Sequence, residues 1–181
     1  YHGIRYVESF GRAAYITKAR VQLTRDLGVY PAAQAAFYVD LGIQTLAVRM
    51  QRHAENAQKV AEFLVNHPKI NYVNYPGLKT DRYHELAMKY LPKGQSGVMS
   101  LSVKGGRAAA VKFMDGLKLA NNVVHVADVR TCVLHPASET HRQLTSEQLA
   151  AAGIDEALIR LSVGIENVDD IIDDISAALE A

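Results

Sequence analysis

The sequence holds one cysteine, Cys132, in 181 residues. A single thiol excludes an internal disulfide and suits a reducing compartment, so a cytoplasmic location is expected. No apolar run approaches the ~20 residues that a membrane-crossing helix needs. Neither sign of charge dominates: the formal net charge is +1 and no basic run occurs. Without a basic face or an aromatic platform, a nucleic-acid partner is not expected. His53 and His67 show no ligand spacing; both read as surface residues, and no metal is expected. The chain opens Tyr1-His2-Gly3-Ile4-Arg5, without a methionine or a signal peptide, and reads as cut from something longer. Internal repeats and low-complexity tracts are also missing. What remains, 49% hydrophobic and 22% charged, is an ordinary globular composition, with enough chain to bury a core.

Periodicity supplies the elements. Residues 1–9 read as irregular. Phe10 to Leu27 reads as a helix, with Ala14, Ala19, Val21, Leu23 and Leu27 on a loose apolar side and Gly28 as its C-cap. Lys18 within it reads as a solvated helix lysine. Pro31 opens a short helix from Ala32 to Leu41, and Gly42 is the expected break. The longest helix runs from Ile43 to about Asn66, with Leu46, Met50, Ala54, Ala57, Ala61 and Leu64 as its buried stripe.

Pro68 ends that helix. Strands follow at Ile70–Tyr75 and Val98–Val103, with a short helix between them at Tyr83–Tyr90. Gly105-Gly106 reads as a plain turn into a helix from Arg107 to about Leu117. Val123–Val126 and Thr131–Leu134 are two strands or one interrupted strand. A polar loop, residues 135–141, comes next. Thr145 and Gln148 form a capping box, and Asn167 caps the last helix, which buries Val168, Ile171, Ile172, Ile175 and Leu179. This alternation implies an α/β (α+β) fold with helices packed on a small, mostly antiparallel sheet. The loop of residues 135–141 is expected to meet the strand carrying Arg160 at one edge.

That strand, Ile159-Arg160-Leu161-Ser162-Val163, organises the chain. Alternate side chains face opposite ways, so Ile159, Leu161 and Val163 share a buried face and Arg160 and Ser162 the other. A guanidinium in an apolar strand needs an anionic partner. Its planar fork suits a carboxylate held by two parallel hydrogen bonds. On these residues alone, that carboxylate is an internal Asp or Glu or the acid group of a ligand.

Several stretches then become recognisable. Thr45-Leu46-Ala47-Val48-Arg49-Met50-Gln51-Arg52-His53-Ala54-Glu55-Asn56-Ala57, Val73-Asn74-Tyr75-Pro76-Gly77-Leu78, Leu134-His135-Pro136-Ala137-Ser138 and Arg160-Leu161-Ser162-Val163-Gly164-Ile165-Glu166 occur in that order. Together they resemble the cysteine/methionine-metabolism family of pyridoxal-phosphate enzymes. Tyr1-His2-Gly3, Phe10-Gly11, Ala19-Arg20-Val21-Gln22-Leu23 and Arg25-Asp26-Leu27-Gly28 are similar to its O-acetylhomoserine sulfhydrylase branch. Methionine γ-lyases and cystathionine synthases and lyases are the nearest alternatives; a non-catalytic assembly domain of the same fold is a further one.

The resemblance implies a fold type I enzyme, here its C-terminal small domain (residues 31–181) preceded by the end of the large cofactor domain (residues 1–30). It implies pyridoxal 5'-phosphate as an electron sink, an amino-acid substrate with sulfide or a thiol, and replacement of acetate to give homocysteine or methionine. It further implies a homotetramer. Arg160 matches the arginine that holds the substrate carboxylate, and Ser138 the active-site serine that helps position the cofactor lysine. That lysine is expected to precede Tyr1, so this chain alone is expected to be inactive and to hold no cofactor. Two positions depart from the pattern. Glu139 puts a negative charge beside an anion site unless it points away. Ala127 replaces a glycine, so a positive φ is not expected there.

Overall fold

The computed structural model describes residues 2–181. The chain forms two compact units, Tyr1–Thr45 and Leu46–Ala181. The first is helical. Helix α1 covers Tyr6–Phe10, so all but its last residue fall in the stretch expected to be irregular. A 3₁₀ turn at Gly11–Ala13, helix α2 at Ala14–Lys18, a π-helical stretch at Ala19–Thr24 and helix α3 at Arg25–Leu27 continue the coil. Gly28 ends it in the left-handed conformation, φ 65°, which glycine adopts without a Cβ penalty. Of its expected apolar side only Ala14 is buried. Helix α4, Ala33–Gln44, buries no residue and exposes Phe37, Tyr38 and Leu41. It passes through Gly42 and breaks at Thr45 instead.

The second unit is an α/β layer pair. Helix α5 is Leu46–Val65, α6 His84–Tyr90, α7 Gly106–Gly116, α8 Ser146–Ala151 and α9 Val168–Glu180. Strands β1 (Ile70–Asn74), β2 (Val98–Val103), β3 (Asn121–Asn122), β4 (Cys132–Leu134) and β5 (Leu158–Ser162) form one sheet in the order β1-β2-β5-β4-β3. Every pairing is antiparallel except β3 with β4. The second of the two stretches expected there is a strand, but Val123–Val126 is not: the short strand before it is Asn121–Asn122, and residues 123–126 belong to the loop. The mostly antiparallel sheet is as expected. Val133, Ile159, Leu161, Met99, Leu101 and Val103 pack against Val60, Leu64, Phe113, Ile171 and Ile175 of α5, α7 and α9. Burial of this kind stabilises by roughly 25 cal/mol per Å² of apolar area.

Alternation then sends Ser100, Arg160 and Leu134, paired across β2, β5 and β4, to the other face. Both predicted caps form. The Thr145 side chain accepts from the Gln148 backbone N–H while Gln148 reaches back to the Thr145 N–H, and Asn167 accepts from Asp169 N at 3.1 Å. Gly105 and Gly106 take φ of 106° and 70° in the turn from β2 to α7, a conformation suited to glycine.

Helix α5 departs from the expected stripe. Ala57, Ala61 and Leu64 are fully buried, but Met50 is 38% exposed and His53 only 1%. The buried line runs through His53, Asn56, Ala57, Val60, Ala61 and Leu64. The flank carrying Met50 and Ala54 instead lines a groove of about 1440 Å³ shared with Leu78, Met88 and the loop at Pro92–Ser96. His67 is also no surface residue: its side chain is 11% exposed and its ring lies 5.5 Å from that of Phe63.

Candidate functional site

Arg160 sits at the centre of the sheet, between Ser100 and Leu134. Its Nη2 donates to the backbone carbonyls of Val124 at 2.8 Å and His125 at 3.4 Å. Among the described residues no carboxylate pairs with it, and its Nε–H is buried without a partner. The internal ion pair left open by the sequence is therefore not what holds this guanidinium. Carbonyl oxygens aim it, and a buried N–H remains to be satisfied, as an incoming carboxylate can do.

The loop that supplies those carbonyls, residues 123–131, is itself built by the rest of β5 and the turn after it. Ser162 Oγ accepts from Ala127 N at 3.0 Å. Ala127 takes φ +58°, so the positive φ expected only of a glycine is kept despite the Cβ. Asp128 accepts from Arg130 Nε at 3.1 Å and Nη2 at 3.0 Å, and these bonds hold its carboxyl well below the usual range. Glu166 accepts from Thr131 N at 2.6 Å and from Thr131 Oγ1 at 3.0 Å. Thr131 Oγ1 in turn accepts from Gly164 N at 3.0 Å. A Cβ on Gly164 would lie 2.5 Å from the Arg130 carbonyl carbon and from Thr131 N. Only glycine allows that approach.

Helix α5 closes the same turn from beneath. His53 Nδ1 lies 2.6 Å from Val163 O, and Asn56 Nδ2 donates to Gly164 O at 3.0 Å and Glu166 O at 2.9 Å. These two polar residues were missed because a polar side chain on an amphipathic helix reads as solvated. Their carbonyl partners are more than a hundred residues away in sequence. A signal existed only in the shared spacing of His53, Asn56 and Val60 on one helix face.

Ser138 lies in the loop that leaves β4 immediately after Leu134, the residue paired with Arg160. Its Oγ is 2.9 Å from His135 Nδ1 and accepts from Arg107 Nη2 at 3.4 Å. The Ser138 loop leaves β4 toward the Glu156 end of β5, where His135 Nε2 lies 2.7 Å from Glu156 O, while the loop of residues 123–131 enters β4 beside Ser162 at the opposite end. Glu139 folds back, its Oε1 accepting from His135 N at 3.4 Å, so its charge is partly engaged within the loop. His125, Asp128 and Cys132 also lie close enough for one ion to touch all three. Arg130 already engages both oxygens of Asp128 there, and burial pushes the Cys132 thiol up. Lys18 is on an exposed helix, its Nζ 5.9 Å from the Tyr6 ring centre. Neither Arg160 nor Ser138 lines the groove beside α5.

Residues 10–180 match the family model described as Cys/Met metabolism PLP-dependent enzyme. The chain belongs to this family. An O-acetyl-L-homoserine sulfhydrylase from Leptospira meyeri is 45% identical, with 99% of this chain and 43% of that protein covered. A homocysteine synthase from Schizosaccharomyces pombe is 44% identical, over 99% of this chain and 42% of that protein. The crystal structure described as an O-acetylhomoserine (thiol)-lyase from Campylobacter jejuni superposes with a TM-score of 0.84 at 40% identity. It covers 96% of this chain and 41% of that one, and it carries a pyridoxyl-lysine monophosphate. The chain therefore spans about two-fifths of the length of these family members.

Family membership implies pyridoxal phosphate. That group needs an amine for its aldehyde and a cradle of donors for its phosphate. The residues around Arg160 and Ser138 offer a guanidinium, carbonyls and a hydroxyl. Of these only the guanidinium, with its unpartnered Nε–H, can donate to an anion, and together they do not make a cofactor site.

Proposed function

We propose that this chain is the C-terminal part of an O-acetylhomoserine sulfhydrylase, which replaces acetate on Cγ of O-acetylhomoserine by sulfide or a thiol. Residues 31–181 form its C-terminal domain and residues 1–30 the end of the cofactor domain. The observation that carries the proposal is the carbonyl-held guanidinium of Arg160 with a buried, unpartnered Nε–H. Its role is to receive the substrate α-carboxylate and fix the bond to be broken at Cα. Ser138 is assigned to the same substrate site. A cytoplasmic tetramer is part of the same proposal.

In the full-length enzyme, Arg160→Ala is expected to raise the Michaelis constant for O-acetylhomoserine at least tenfold while cofactor absorbance is retained. Loss of a charge-assisted pair worth roughly 1.5–3 kcal/mol predicts that scale. An unchanged constant would count against the role. Acetate release from O-acetylhomoserine, set against ammonia release from methionine, separates this activity from a γ-lyase; predominant ammonia release would sink the proposal.

A further inference from the structure

We infer that His125 accepts the proton of the incoming sulfide or thiol, so that sulfur attacks as its anion. The inference rests on the sulfhydrylase reading given above and gives the second substrate of that reaction a place beside Arg160.

His125 stands on the loop that aims Arg160. Its backbone carbonyl accepts from Arg160 Nη2 at 3.4 Å. Its ring is held separately, with Nδ1 3.1 Å from Asp128 Oδ2. Asp128 also accepts from Arg130 Nε at 3.1 Å, Nη2 at 3.0 Å and N at 3.0 Å. Those bonds hold its carboxyl well below the usual range, and an ionised carboxylate only accepts. In the neutral ring the hydrogen is therefore on Nδ1, and Nε2 is a bare acceptor. Nε2 has no hydrogen-bond partner among the described residues, and the side chain is 53% exposed. A solute can reach it.

Strand register places this ring. Residues directly opposite in an antiparallel pair face the same side of the sheet. Cys132 is opposite Ser162, and Leu134 is opposite Arg160. Alternation then puts these side chains on one face. A ring nitrogen of His125, a carboxylate oxygen of Asp128 and Cys132 Sγ lie within 4.8 Å of one another. Ala127 N, two residues on, donates to Ser162 Oγ at 3.0 Å. The imidazole thus lies over the face from which Arg160 projects.

A bare lone pair needs a donor. The carboxylate that Arg160 receives has none to give, and acetate leaves as an anion. The thiol is the reactant that gives up a proton to form its new bond. As the S–H bond breaks, the proton passes to Nε2 and the electron pair stays on sulfur. Asp128, on the Nδ1 side, stabilises the imidazolium that results. The proton then passes to water, which balances the acetate released.

Two measurements test this. In the 181-residue chain, a two-bond proton–nitrogen correlation spectrum should show the neutral His125 ring with its proton on Nδ1. A proton on Nε2 overturns the inference. In the full-length holoenzyme, acetate release from O-acetylhomoserine is followed with ethanethiol and with the more acidic trifluoroethanethiol. His125→Asn keeps the backbone carbonyl that Arg160 uses and removes the proton acceptor. It should lower kcat/KM for ethanethiol about 100-fold, the lower end of general-base catalysis. The loss should be much smaller for trifluoroethanethiol, which ionises unaided, and should shrink for ethanethiol as pH rises. The Michaelis constant for O-acetylhomoserine should stay near native. His125→Gln should repeat the pattern, which separates loss of the base from damage to the fold. Equal losses with both thiols, or a loss independent of pH, overturn the inference and leave the sulfhydrylase reading standing. A native enzyme that releases no acetate with sulfide or with either thiol overturns both.

Discussion

Arg160 shows how one side chain can be specified by its neighbours more than by itself. Its strand position follows from alternation, but its aim comes from the carbonyls of Val124 and His125. Arg160→Lys keeps the charge and loses the planar fork. In the full-length enzyme it should therefore raise the Michaelis constant nearly as much as Arg160→Ala; a Michaelis constant close to native would argue that charge alone suffices. Gly164 is the other residue with no substitute. Its need is for space: an added Cβ would strike the backbone of Arg130 and Thr131, and backbone cannot move aside as a side-chain tip can. Gly164→Ala should destabilise the chain by about 1–3 kcal/mol, the range for overpacking, read as a lower urea midpoint at unchanged slope.

Among the elements, β5 and the loop at residues 123–131 form a reciprocal pair. Ser162, Gly164 and Glu166 hold the loop, and the loop holds Arg160. This gives a physical reason for the run Arg160-Leu161-Ser162-Val163-Gly164-Ile165-Glu166. Thr131 is the junction, fully buried, accepting from Gly164 N and donating to Glu166. Thr131→Val, equal in shape, leaves that N–H and carboxylate short of a partner and should cost about 1–3 kcal/mol. Faster amide exchange confined to residues 123–131 would locate the loss; unchanged exchange there would contradict the arrangement.

At the same scale, α5 shows where pattern reading stops. Its C-terminal half was legible, because Ala57, Ala61 and Leu64 meet an apolar sheet face. Its N-terminal half was not. His53 and Asn56 are buried because carbonyls of the β5–α9 turn need donors there, a demand that no local window contains.

For the whole molecule, stability should fall on the alkaline side. Tyr75 is fully buried, its hydroxyl donating to Ser96 O at 3.0 Å, and burial together with the nearby Glu62 carboxylate pushes it up to about 12. An unfolded tyrosine titrates near 10. Folding therefore favours the protonated phenol. This contribution is complete below about pH 10 and disappears as pH rises through about 12. Urea midpoints measured across that interval should drop for the native chain and drop less for Tyr75→Phe; parallel curves would assign the loss to other groups.

The amino-acid sequence by itself determined the α/β architecture, both helix caps, the buried face of β5 and the outward placement of Arg160. Each depends on neighbours within a turn or two of chain, where periodicity and hydrogen-bond capping act. Only the tertiary structure decided that no acid among the described residues pairs with Arg160, that Ala127 keeps a positive φ, and that His53 and Asn56 turn inward. Those outcomes depend on which backbone carbonyls and N–H groups meet once the sheet closes, and such meetings join residues that are far apart along the chain.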